Sequence, residues 1–93
     1  MPIADFDQYC QMLTSARAGK YAYPAINVSN LETLTGAIEA FAEAESDGII
    51  QASTGAGQHA SGGLKDMVLG SKILAEAAHQ IADKYNVLIA LHT

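Results

Sequence analysis

One cysteine, Cys10, is all the chain contains, so neither an intrachain disulfide nor a thiolate zinc cluster can form. A single thiol suits a reducing, intracellular setting. Basic charge is scarce as well: five Lys and Arg stand against ten Asp and Glu, for a net charge of −5. No basic run exists, which argues against nucleic acid as a partner. The acidity leaves phosphorylated ligands open, because phosphate sites are often built from backbone N–H groups and one or two local charges. No stretch approaches the roughly 18 apolar residues of a membrane span. The opening Met-Pro-Ile-Ala-Asp lacks the basic and apolar regions of a signal peptide. A cytoplasmic location is expected. There is no linker, repeat or low-complexity segment.

What the chain does have is a globular composition: 49% hydrophobic and 16% charged over 93 residues. That is enough for one small domain. Many of the apolar residues are alanines, which bury little area each, so the core should be thin. The expected organisation is a single domain over residues 1–93, and an incomplete one.

Hydrophobic periodicity divides the chain. Residues 5–18 read as a helix, with Phe6, Tyr9 or Cys10, Leu13 and Ala16 at helical spacing and Gly19 as its stop. Residues 21–27 read as a short strand, weakened by Pro24. Ser29 and Glu32 have the spacing of a capping box. Behind them Leu31, Leu34, Ile38, Phe41 and Ala42 form an apolar stripe reaching about Ala44. Residues 49–53 are a second strand, 54–64 a glycine-rich loop, 65–85 a third helix with Met67, Leu74, Ala78, Ile81 and Tyr85 on one face, and 87–91 a third strand. Five consecutive apolar residues in that last strand suit a parallel sheet buried on both faces. Helices between successive strands imply right-handed crossovers. The class is α/β, as in a doubly wound sheet or part of a (β/α)8 barrel. A strand at 87–91 with no further unit beside it would leave an exposed apolar edge.

Polar residues stand where each strand meets the following loop: Asn27, Ser53, then His92 and Thr93. Parallel α/β folds assemble their sites at these carboxyl ends, although Asn and Ser are also ordinary turn formers. The run Ser53-Thr54-Gly55-Ala56-Gly57 is small enough for its backbone to approach an anion, and the Ser53 hydroxyl can donate to a phosphate oxygen. It is neither a Walker A loop nor a complete dinucleotide fingerprint. His59, His79 and His92 fit no compact metal motif. Glu32, Glu39, Glu43 and Glu45 read as the solvated face of one helix, and Lys65 as a solvated cation.

Several segments nevertheless form a pattern together. Tyr23-Pro24-Ala25-Ile26-Asn27 resembles the Phe-Pro-Ala-Ile/Val-Asn segment of class II fructose-bisphosphate aldolases. Asp47-Gly48-Ile49-Ile50-Gln51-Ala52-Ser53-Thr54-Gly55 resembles their second strand and loop, and Lys65-Asp66-Met67-Val68 the opening of the next helix. Ala90-Leu91-His92-Thr93 resembles the start of their Leu-His-Thr-Asp-His-Cys motif. The resemblance covers the whole chain, in order. It implies the N-terminal part, about three βα units, of a (β/α)8 barrel, usually a homodimer. It implies reversible cleavage of fructose 1,6-bisphosphate into two triose phosphates with zinc as the divalent metal. Carried over by position, Ser53 binds a substrate phosphate, Asn27 supports the pocket, and His92 and Gly55 support the site. The family's catalytic Asp and metal-binding His would come directly after Thr93, so this segment alone is expected to be inactive and without its own metal ligands. Two departures stand out: the family's Gly-Gly after the serine reads Gly55-Ala56, and its Phe before the serine reads Ala52. Ala56 would be strained if that position needed φ > 0. Against this enzyme reading stand a non-catalytic half-barrel and a small α/β module binding a phosphorylated ligand.

Overall fold

A computed structural model describes residues 3–93; Met1 and Pro2 lie outside it. The order is α1 (Phe6–Gly19), β1 (Ala25–Asn27), α2 (Leu31–Glu43), β2 (Gly48–Gln51), α3 (Thr54–Ala60), a 3-10 turn (Gly62–Leu64), α4 (Met67–Ala82) and β3 (Ile89–His92). The strands pair in parallel, in the order β1-β2-β3. That is the expected α/β arrangement, with a helical crossover between each pair of neighbours.

Alternation along β2 divides the core between the two faces of the sheet. Ile50 and Ile89 turn to one face and pack with Leu34, Ile38 and Phe41 of α2 and with Ala78 and Ala82 of α4. Ile49 and Ala90 turn to the other and pack with Met12 of α1. Leu34, Ile38, Ile50 and Ile89 are fully buried, worth roughly 1.5–3 kcal/mol each. The apolar stripe of α2 falls where its periodicity places it, except that Leu31 is exposed. On α1 the buried residues are Met12 and Ala16, while Phe6 and Leu13 face solvent. Of the expected strip, Ala16 is buried and Tyr9 packs on the Met12 cluster, while Phe6 and Leu13 lie outside it.

Element ends differ from expectation for local reasons. The N-cap of α2 is Asn30 rather than Ser29: the Asn30 carboxamide accepts the Thr33 N–H at 2.8 Å, and Thr33 Oγ1 accepts the Asn30 N–H at 3.2 Å. Thr33 thus takes the role assigned to Glu32. Gly19 is the last residue of α1 and the left-handed cap is Lys20, with φ 57°. A Cβ at Gly19 would fall 2.5 Å from the exposed Tyr21 ring, which would have to turn aside. The helix expected from Lys65 begins at Met67, capped by Asp66, whose carboxylate accepts the Leu69 N–H. The strands are shorter than read, and β3 starts at Ile89 rather than at Val87.

The glycine-rich stretch expected as a loop contains α3. Gly57 of α3 lies against Met67 and Ser71 of α4, and Gly70 lies against Gly57. Ala56 is helical and is not among the positive-φ residues, so the strain considered for it does not arise. β3 is the outer strand of the sheet, as expected, but its apolar side chains Val87, Ile89 and Ala90 are buried, and the Ala4 N–H covers its start by donating to the Ile89 carbonyl at 2.8 Å. Exposed apolar side chains gather instead at Leu64, Met67 and Val68, before and at the start of α4.

The cap assignment gives a clean pair of expected results. Asn30→Ala should cost about 1 kcal/mol, the usual worth of an N-cap side chain, and Ser29→Ala should be close to neutral. Thermal melts of the two variants check this; a larger loss at Ser29 would return the cap to that residue.

Candidate functional site

The three strands end in register. Asn27 pairs with Gln51, and Gln51 with His92. All three lie on the Ile49 face of the sheet, opposite the face that packs on α2 and α4. Ser53 is two residues beyond Gln51 and keeps the same parity. A cleft of about 370 Å³ is lined by Asn27, Gln51, Ala52, Ser53, His92 and Thr93. The structure therefore brings together Asn27, Ser53 and His92. Gly55 is apart from them: it lines a separate cleft with Gln58, His59, Gly62 and Lys65. A Cβ at Gly55 would meet only the Ser53 hydroxyl, at 3.7 Å, so nothing steric demands glycine there.

Ser53 has two features that bear on chemistry. It is exposed, and its Oγ accepts the Ala56 N–H at 3.1 Å as the N-cap of α3. A hydroxyl carries one donor and two acceptor lone pairs, so capping leaves its proton free for a ligand. Ala52, beside it, is buried and supports the strand end from within. Gln51 was not singled out from the sequence, although alternation already put it on the Ser53 face. Tyr9 was missed as well: its hydroxyl lies 3.2 Å from His92 Nε2 across 83 residues of chain, and no local pattern signals such a contact.

The opposite pole of the sheet serves stability. Asp47 Oδ1 accepts the Leu88 N–H at 2.8 Å, tying the entries of β2 and β3 together. Burial, and then the hydrogen bond with Tyr21, push the Tyr23 phenol up to about 12.

Among the described residues no group of three or more His, Cys, Asp or Glu is placed to hold a metal ion. His59, His79 and His92 fall on α3, α4 and β3. The side chains of this chain do not by themselves fit a zinc site. Among the same residues no helix is long and apolar enough to cross a membrane.

The family model for class II fructose-bisphosphate aldolase matches residues 7–93. The chain belongs to that family. The fructose-bisphosphate aldolase of Streptomyces galbus is 58% identical over 94 residues, covering 100% of this chain and 28% of its own length. That of Mycobacterium tuberculosis is 54% identical, covering 100% of this chain and 27% of its own length. A crystal structure of fructose-bisphosphate aldolase from Campylobacter jejuni superposes with a TM-score of 0.91 at 29% identity, over 99% of this chain and 27% of that one. The chain thus spans little more than a quarter of the relatives it matches. The three parallel strands of this aldolase segment, with the helical crossovers between them, correspond to the N-terminal part of an aldolase barrel, as the resemblance implied.

Proposed function

We propose that this segment, as a single domain portion, builds the first part of a class II aldolase barrel, and that its strand-end cleft holds a phosphate-bearing end of the substrate. The complete enzyme would convert fructose 1,6-bisphosphate reversibly into dihydroxyacetone phosphate and glyceraldehyde 3-phosphate, in glycolysis and gluconeogenesis, as a cytoplasmic homodimer. The observation that carries the reading is the row Asn27–Gln51–His92 with Ser53 beside it, at the carboxyl ends of parallel strands, in a chain of this family. Barrel enzymes place their substrates at that end.

Each residue has a definite task in this reading. The Ser53 hydroxyl donates to a phosphate oxygen while still capping α3. The Asn27 carboxamide supplies donors and an acceptor to the polar substrate. His92 closes the cleft on the β3 side. Gly55, in α3, borders the Ser53 hydroxyl without lining the cleft, so its part in the site is indirect. The divalent metal of the class, zinc in this proposal, would be held by side chains that this chain does not contain.

Cleavage of fructose 1,6-bisphosphate by the full-length protein tests the reading, with triose phosphate as the readout. Asn27→Asp should lower kcat/KM by about tenfold or more, because it sets a carboxylate beside an anionic substrate. Absence of triose phosphate from the wild-type protein would sink the assignment. An unchanged kcat/KM in the variant would move the substrate away from β1.

A further inference from the structure

Tyr9 belongs to α1, which is far in sequence from the strand ends, yet it reaches the last residue of β3. Its hydroxyl stands 3.2 Å from His92 Nε2. The two rings also meet edge to face, with centroids 5.6 Å apart and planes at 74°. A hydrogen bond alone fixes where one nitrogen lies; the edge contact adds the tilt of the ring. Without them the χ2 torsion of a histidine is broad, and the neighbouring Thr93 is exposed. The helix that carries Tyr9 is itself anchored, by buried Met12 and Ala16 and by the reciprocal Asp5–Gln8 cap.

His92 forms a wall between two spaces. On one side it lines a cavity with Tyr9, Phe6 and Ala4, and on the other it lines the strand-end cleft with Asn27, Gln51 and Ser53. With Nε2 engaged by the phenol, Nδ1 is the nitrogen left over for a ligand. A neutral imidazole has one donor and one acceptor nitrogen. The phenol can donate to a bare Nε2 or accept from Nε2–H, so the contact serves either tautomer; what it fixes, together with the ring edge, is the direction in which Nδ1 points.

We propose that Tyr9 is a positioning residue for the strand-end site: it holds the His92 ring in one orientation, so that Nδ1 is presented to the substrate. The functional half of this rests on the cleft being the substrate site; the ring's orientation does not.

Tyr9→Phe is the test, since it deletes the hydroxyl and keeps the ring edge. Relaxation of the labelled His92 ring should show a rigid side chain in the wild-type protein and a more mobile one in the variant. In the full-length protein kcat should fall about three- to tenfold, the worth of one hydrogen bond, with KM changed less than about twofold. Combined with His92→Ala, the Tyr9 substitution should add nothing further, as expected for two groups that act through one contact. Unchanged ring mobility in Tyr9→Phe, or an equal loss of kcat in the His92→Ala background, would overturn the proposal. A wild-type protein that does not cleave fructose 1,6-bisphosphate would remove the functional reading, while the ring spectra would still decide whether Tyr9 holds His92.

Discussion

Ser53→Asp is expected to lower kcat/KM for fructose 1,6-bisphosphate by at least about a hundredfold, because a carboxylate set against a phosphate costs several kcal/mol at about 1.4 kcal/mol per factor of ten. The fold should be as stable as the wild type. Aspartate is as good an N-cap as serine and keeps the bond that Ser53 now makes to the Ala56 N–H. Ser53→Ala is the informative companion. It removes both the cap, worth about 1 kcal/mol of stability, and the donor to phosphate, worth roughly 1.5–3 kcal/mol. Its kcat/KM should therefore fall about ten- to a hundredfold, with a lower Tm and unchanged metal content. Steady-state kinetics, melting curves and metal analysis of both variants separate the two roles. If Ser53 only caps α3, Ser53→Asp will retain wild-type kinetics; lost metal in either variant would show that Ser53 has a different role altogether.

The second large effect is expected at Gly70. A Cβ there would overlap the carbonyl oxygen of Gly57 where α4 crosses α3. Backbone on both sides leaves no side chain that can swing away. Gly70→Ala should therefore destabilise the protein by about 1–3 kcal/mol or more, and move α3 off α4. Because Ser53 caps α3, the displacement should also weaken substrate binding, although Gly70 touches no ligand. Gly36→Ala is the control: a Cβ at Gly36, within α2, meets nothing within 4 Å. Alanine there should stabilise the helix by roughly 0.5–1 kcal/mol. Opposite shifts in Tm for the two variants are the expected outcome, and equal shifts would show that the helix crossing is looser than described.

The same crossing explains what could and could not be read from the sequence. The strands and α2 were legible because their signals are local: Ile49-Ile50 and the run 87–91 are apolar, and Leu34, Ile38 and Phe41 recur at helical spacing. Helix α3 was not, because Gly55 and Gly57 have poor helix propensity. It forms through the Ser53 cap and through the close approach to Gly70, which no window around residue 57 contains. The Asn30 cap was missed because Ser29 and Asn30 are both good caps, and the choice falls to Thr33, which satisfies the Ser29 and Asn30 N–H groups together. The site divides in the same way. Asn27, Ser53 and His92 could be found by their place at strand ends, whereas Gln51 needed the register and Tyr9 needed the fold.

The strand order has a further consequence, for biosynthesis. Every strand pairs with the one made immediately before it, so each partner has already left the ribosome when the next strand emerges. Only one helical crossover has to close at each step, and the entropy of closing a loop grows slowly with its length. These residues can thus assemble in the direction in which they are synthesised, with the Ile49 face of the sheet set as soon as β3 joins β2.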